Sequence, residues 1–300
     1  MISTPAWVMA RTIRYMTPGV PRIPAPGETL AGTGFATAPG GKGANQALAA
    51  RYAGATVALF GAVGRDDFAV TALAHLKAAG VDLAGVTAVE APTGVALIHV
   101  DDRGENAITV IAGANAQAHA DQVPQELLHA GNTLLMQLES PVAEVARLAA
   151  RARRAGARTV LNAAPALPLP VDLIGDIDLL VVNEREASFY ADSLGLAGAS
   201  GSFLAQMEEH FGVAVVLTLG ARGARAMAGG ELMQAEPPRI DVIDTTGAGD
   251  ALVGAFAAAL DRGMPVREAL AEGVRAGALT CTHHGAQRPL TGNDPSERVK

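Results

Sequence analysis

Residues 244–250 read DTTGAGD, two carboxylates around a small-residue turn, and lead straight into the apolar run ALVGAFAAAL. Gly247, Ala248 and Gly249 lack bulky side chains, so a ligand could approach their backbone N–H groups at the start of the helix that follows. A helix amino terminus offers free donors and a partial positive charge, which suits an anion such as a transferring phosphoryl group. Asp250, in the first turn, faces the same point. A carboxylate there repels phosphate but can accept the proton of a hydroxyl that attacks it, the general-base arrangement of phosphoryl transfer. Asp244 closes the corner from the other side and could offer oxygens to a cation. Taken alone, the same Gly-Ala-Gly-Asp also reads as a helix cap after a glycine turn.

Other nucleotide motifs are absent. Lys42 in GGKGANQ is followed by Gly43 rather than Ser or Thr, so there is no P-loop, and no G-x-G-x-x-G fingerprint, G-x-S-x-G elbow or H-E-x-x-H occurs. If the chain handles ATP, it does so by another route.

The elements that must position this corner are legible as alternating runs. TVALFGAVG (56–64), NTLLMQLE (132–139), ARTVLNAAP (157–165), IDLLVVNE (177–184) and GVAVVLTLG (212–220) are continuous apolar strands ending in polar or glycine residues, as in a parallel sheet covered on both faces. Segments 68–80 and 141–155 carry helical spacing and end at or just before glycine. The order predicts repeated βαβ units, an α/β doubly wound sheet with ligands at the carboxyl ends of its strands. Residues 93–115 break the rhythm and read as a hairpin turning at 101–106, either a lid or an edge hairpin.

Composition narrows the partners. The chain has 300 residues, 49% of them hydrophobic, enough for one large α/β domain. With 30 acidic against 23 basic residues, a formal net charge of -7 and no long basic run, nucleic acid is not expected as a main partner. The single Cys281 reads as a buried small side chain in a reducing, cytoplasmic setting. Apolar stretches such as 251–260 are bounded by Asp250 and Asp261, too short to span a membrane. Residues 1–27 hold no acid but include Arg11, Arg14 and Arg22; prolines at 5 and 18 speak against an amphipathic transit helix.

PGGKGANQALAA (39–50), TGVALIHVDDRGENAITVIAGANA (93–116), LLMQLESP (134–141), LNAAPA (161–166), VNERE (182–186), LTLGARGA (217–224), DTTGAGDALVGAF (244–256) and HHGAQ (283–287) together resemble the ribokinase family of sugar kinases, in order and at similar spacing from about Pro21 to Pro289. The resemblance implies one ribokinase-like domain over 1–300, a doubly wound, mostly parallel sheet flanked by helices, with a small β lid at about 11–39 and 93–111. It implies ATP-dependent phosphorylation of the 5-hydroxyl of D-ribose, with Mg2+ and with K+ or another monovalent cation as activator, and a homodimer through the lid. By matching position, Asp250 is the base and Gly247, Ala248 and Gly249 the anion hole. Gly41, Lys42, Gly43, Asn45 and Glu139 hold the sugar. Asn183, Thr218, Leu219, Gly220, Ala221, Arg222, Gly223 and Gly249 bind ATP. Glu186 orders the magnesium region through water, and Asp244, Thr246, Thr280, His283 and Gly285 surround the monovalent cation.

Two departures stand out. Pro289 replaces a serine the family offers to the cation. Family members also begin with a G-S-x-N-x-D element whose Asn and Asp grip the sugar, whereas residues 9–20 contain neither residue type, and Ile13 and Tyr15 fall roughly at the missing pair. Losing a charged hydrogen bond to a sugar hydroxyl costs on the order of 1.5–3 kcal/mol. A kinase for another sugar or a nucleoside, and a catalytically impaired sugar- or ATP-binding protein, are therefore the alternatives. Arg11 and Arg14 are expected to disturb the first strand, since charges fit badly in a buried central position.

Overall fold

The computed structural model describes residues 5–9, 13–196 and 200–287. The chain opens with β1 (Pro5–Met9), β2 (Ile13–Val20), β3 (Gly34–Gly40), α1 (Lys42–Tyr52), β4 (Thr56–Gly64), α2 (Asp67–Ala78), β5 (Asp82–Val89), β6 (Gly94–Asp101) and β7 (Asn106–Ile111). It continues with β8 (Thr133–Gln137), α3 (Val142–Ala155), β9 (Arg158–Asn162), α4 (Val171–Gly175), β10 (Leu179–Asn183), α5 (Glu184–Ser193), α6 (Ser200–Phe211) and β11 (Ala214–Thr218). The remaining elements are β12 (Ala224–Ala228), β13 (Glu231–Ala235), α7 (Ala248–Asp261) and α8 (Val266–Thr280).

The apolar runs become neighbouring strands because both their faces are covered. On β8, Leu134 and Met136 point into a core layer with Leu161, Val182 and helices α3–α6, while Leu135 points the other way, to Val160, Val181, Val216 and helices α1, α2, α7 and α8. Each such side chain contributes about 1.5–3 kcal/mol by leaving water, so a polar residue inside these runs would need a specific partner.

The large sheet runs β13-β12-β11-β10-β9-β8-β1-β4-β5. Its pairs are parallel except β11–β12 and β12–β13. The β12–β13 hairpin was not read from sequence; Gly229 and Gly230, at φ 63° and 76°, supply its two-residue turn. From β1 the chain winds outward through β4 and β5 on one side and through β8 to β11 on the other. Such a reversal of direction opens a crevice at the strands' carboxyl ends.

A second sheet, in the order β3-β2-β6-β7, is built from segments near both parts of the expected lid. One expectation fails here. β1 pairs with β4 from Pro5 to Met9 and with β8 from Trp7 to Met9, and the chain has left the large sheet before Arg14, whose Cα lies opposite Pro39 and Val95 in the second sheet. That arginine therefore lies outside the large sheet and does not burden its first strand. Arg11 and Pro289 lie outside the described residues.

Candidate active site

Helix α7 begins where Gly247, at φ 78°, turns the chain through the left-handed region. A Cβ there would lie 2.6 Å from the Cβ of Ala286, so both conformation and space exclude a side chain. Ala248 N–H bonds back to Thr245 O at 3.2 Å. Of the expected anion hole, this leaves the Gly247 and Gly249 N–H groups as donors at the open end of the helix, joined by the Asp250 N–H, since the cap and the second and third helical positions have no partner within the helix.

One turn on, Gly254 lets α1 and α7 pack closely: an added Cβ would stand 2.3 Å from the Gln46 carbonyl oxygen. That approach brings Asp250 against α1. Asn45 Nδ2 donates to its Oδ2 at 2.8 Å and Gln46 Nε2 to its Oδ1 at 2.9 Å. Both amides are themselves held. Gln287 Nε2 donates to Asn45 Oδ1 at 2.9 Å, Gln137 Nε2 to Gln46 Oε1 at 2.7 Å, and Gln46 Nε2 also to Asn162 Oδ1 at 2.9 Å. All five amide residues are buried. The carboxylate is thus aimed by a relay of oriented amides while its edge faces a cleft of about 150 Å³.

Lys42, Asn183, Glu186, Thr218, Gly247, Gly249 and Asp250 line that cleft. At its side, the Lys42 N–H donates to Glu139 Oε2 at 2.9 Å, so Glu139 sits at the amino terminus of α1 with Gly41, Gly43 and Asn45 around the same turn. Burial opposes the charge on Lys42, yet Asp250, Glu139 and Glu186 outweigh it and raise the pKa. The lysine stays cationic. Burial pushes the Glu186 carboxyl up, against hydrogen bonding from Asn183 and the nearby Lys42.

Asn183 and Glu186 form a reciprocal cap on α5: Glu186 N–H donates to Asn183 Oδ1 and Asn183 N–H to Glu186 Oε2, each at 2.9 Å. Among residues 218–223 only Thr218 lines the cleft. Leu219 N–H meets Gly223 O at 2.8 Å and Gly223 N–H meets Gly220 O at 3.0 Å, folding Gly220–Arg222 into one tight turn with Ala221 exposed. Arg222 pairs with Glu184 at 2.6 Å.

Asp244 ties the last corner together. Its Oδ1 accepts from Thr246 N–H at 2.9 Å and Thr246 Oγ1 at 2.7 Å, and its Oδ2 accepts from Gly285 N–H at 2.8 Å. Burial would raise its pKa, but these hydrogen bonds prevail and hold it below the usual value. Thr280 closes α8 with its hydroxyl on Ala276 O at 3.1 Å, and His283 lies in the turn between it and Gly285. Three hydrogen bonds occupy the Asp244 carboxylate, so the backbone carbonyls around it and the remaining lone pair on Oδ2 are what this corner can offer a cation.

Sequence reasoning missed Gln46, Gln137, Asn162 and Gln287 as parts of the site. Their signal was available: Gln137 and Asn162 are polar residues closing apolar strands at the carboxyl end. A larger cavity, about 620 Å³, opens at the opposite end of α7 near Arg158 and Asp261 and contains none of the expected site residues. The smaller cleft is the one with the chemistry.

Residues 7–292 match the model of the pfkB family carbohydrate kinases. The chain is 37% identical over 278 residues to a ribokinase of Schizosaccharomyces pombe, covering 88% of this chain and 87% of that protein. It is 36% identical over 279 residues to a ribokinase of Haemophilus influenzae, covering 90% of each. Among solved structures, a ribokinase from Thermotoga maritima superposes with a TM-score of 0.87 at 29% identity, covering 95% of both chains. Arabidopsis thaliana ribokinase complexed with ribose and ATP superposes with a TM-score of 0.86 at 28% identity, covering 96% of both.

Proposed function

The chain belongs to the pfkB family of carbohydrate kinases, and from that membership we propose that it transfers the γ-phosphoryl group of ATP to the 5-hydroxyl of D-ribose, giving ribose 5-phosphate. The observation that carries the mechanism is the pair of amide donors, Asn45 and Gln46, on the Asp250 carboxylate. They orient it toward the open end of α7, where it takes the proton of the attacking hydroxyl. The N–H groups of Gly247, Gly249 and Asp250 receive the developing charge on the transferred group. Lys42 balances the carboxylates of Glu139, Glu186 and Asp250 while Gly41, Gly43, Asn45 and Glu139 hold the acceptor. Thr218, Asn183 and the turn from Leu219 to Gly223 take the nucleotide.

Among the described residues no group of three or more His, Cys, Asp or Glu could enclose a metal. The oxygen donors at hand fit magnesium nonetheless, because that ion keeps its waters and is held largely by substrate phosphates. Glu186, a carboxylate whose burial leaves it short of positive charge, and Asn183 would hold its water shell. Bound there, the ion supplies charge neutralisation to the phosphates. Potassium would sit on the backbone carbonyls around Asp244, Thr246, Thr280, His283 and Gly285. The second sheet acts as a lid, and two copies join through it, a reading supported by the exposure of Phe35 (63%), Ile108 (55%) and Val110 (48%). The enzyme works in the cytoplasm, in keeping with Cys281 as a free thiol.

A second reading, a kinase for another sugar or a nucleoside, is favoured by the Tyr15 hydroxyl on the Gly41 N–H, next to Lys42, in a stretch from 9 to 20 that offers no Asn or Asp. A coupled ADP-release assay with D-ribose, 2-deoxyribose, fructose and adenosine, with and without potassium, decides. Potassium-stimulated release fastest with ribose is expected; faster turnover on another acceptor would replace ribose with that compound.

A further inference from the structure

Tyr15 lies on β2, its Cα opposite Ala38 of β3 and Ala96 of β6. Two small neighbours leave its ring free to lean over the end of β3. A Cβ added at Gly40 would fall 2.2 to 2.7 Å from the Tyr15 Cε2, Cζ and Cδ2 atoms, so the ring lies directly on the Gly40 backbone. Its hydroxyl oxygen accepts from the Gly41 N–H at 3.4 Å, at the head of α1. The phenol therefore hangs over the turn that also carries Lys42, Asn45 and the Glu139 contact.

A phenol hydroxyl has one proton to donate, and that of Tyr15 has no acceptor among the described residues. Burial, followed by the charge of Asp250, pushes its pKa above the ordinary value, so the group remains a donor at neutral pH. A half-buried donor over the Gly41–Lys42 turn carries part of the free-energy penalty of an unpaired group unless a ligand oxygen meets it. The ring, in turn, presents a rigid apolar face of the kind that packs on the C–H face of a sugar.

Resting on the reading of the chain as a sugar kinase, we propose that Tyr15 is a specificity-determining residue of the acceptor site: its ring covers one face of the sugar and its hydroxyl donates to a single sugar oxygen. The chemistry differs from that of an Asn and Asp pair. A carboxylate accepts from two vicinal hydroxyls at once, whereas a phenol proton asks only for one oxygen. The wild-type site therefore discriminates weakly between a pentose and its 2-deoxy form.

Calorimetric binding of D-ribose, 2-deoxyribose and ATP to the full chain and to Y15F and Y15D, with turnover on the same samples, tests this. Y15F should bind the preferred pentose about three- to tenfold more weakly, the loss of one neutral hydrogen bond. ATP affinity should be unchanged, and the effect should fall on acceptor KM more than on kcat. Y15D should raise the preference for ribose over 2-deoxyribose. Pentose binding by Y15F equal to wild type, or equal weakening for pentose and ATP, overturns the assignment. Wild type that binds a pentose without transferring phosphate sinks the kinase reading alone, because the Y15F comparison still reports on Tyr15; wild type that binds neither pentose overturns both.

Discussion

The side-chain amide of Gln46, fully buried, donates to Oδ1 of Asp250 at 2.9 Å. Its second N–H goes to Asn162 and its oxygen accepts from Gln137, so the amide has one orientation and cannot turn away from the carboxylate. Gln46→Leu should lower turnover on the acceptor by about tenfold or more, through misdirection of Asp250. It should also destabilise the fold by about 1–3 kcal/mol for each buried amide left unpaired. Steady-state kinetics with urea unfolding checks both; wild-type kcat in a destabilised protein would show that the relay serves stability alone.

Asp250→Asn keeps the shape of the corner and removes its basicity. Turnover should fall by about 10²–10⁴ while ATP binding persists. Rapid-quench and nucleotide-binding measurements separate the two, and an undiminished chemical step would remove Asp250 from the role of base.

Asp66 caps α2 through Ala69 N–H at 2.9 Å and clasps the start of β6 through Thr93 N–H at 2.8 Å and Thr93 Oγ1 at 2.7 Å. Burial alone would raise its pKa, yet the Thr93 and backbone hydrogen bonds lower it. A depressed folded pKa means stability present above the unfolded value and lost as pH falls through the folded one. Asp66→Ala should cost about 1–2 kcal/mol near neutrality. The wild-type and variant unfolding curves should converge as pH drops below the ordinary aspartate range; a pH-independent gap would mean that the charge contributes nothing.

Phe35, on β3, exposes 63% of its surface. If two copies join through this sheet, Phe35→Asp should shift sedimentation from dimer to monomer without unfolding the chain. A wild type that sediments as a monomer at micromolar concentration would remove the lid as an interface.

The DTTGAGD corner stands out in the sequence because its candidate groups are contiguous: the glycine turn, the start of α7 and the carboxylate of Asp250 occupy residues 244–250. The strand runs were legible because two-sided burial leaves unbroken apolar stretches. The relay was not, since its amides are scattered over Gln46, Gln137, Asn162 and Gln287 and only the close packing of α1 on α7 at Gly254 brings the first of them onto Asp250. Tyr15 could be read as standing near the place of a missing pair, but its lean over Gly40 depended on the small residues beside it on β3 and β6. Arg14 was misjudged because the chain's exit from the large sheet after Met9 has no marker in the sequence pattern.

Asn45 meets Asp250 across 205 positions and Gln287 across 242. A ribosome adding roughly 5–20 residues per second takes roughly ten to forty seconds to cover the first of those distances. Throughout that interval the emerging chain holds the amides of α1 without the carboxylate they orient. Unfinished chains therefore lack the oriented carboxylate, and the sheet, whose last strand ends at Ala235, is complete in sequence before α7 and α8 can finish covering that face beside α1 and α2.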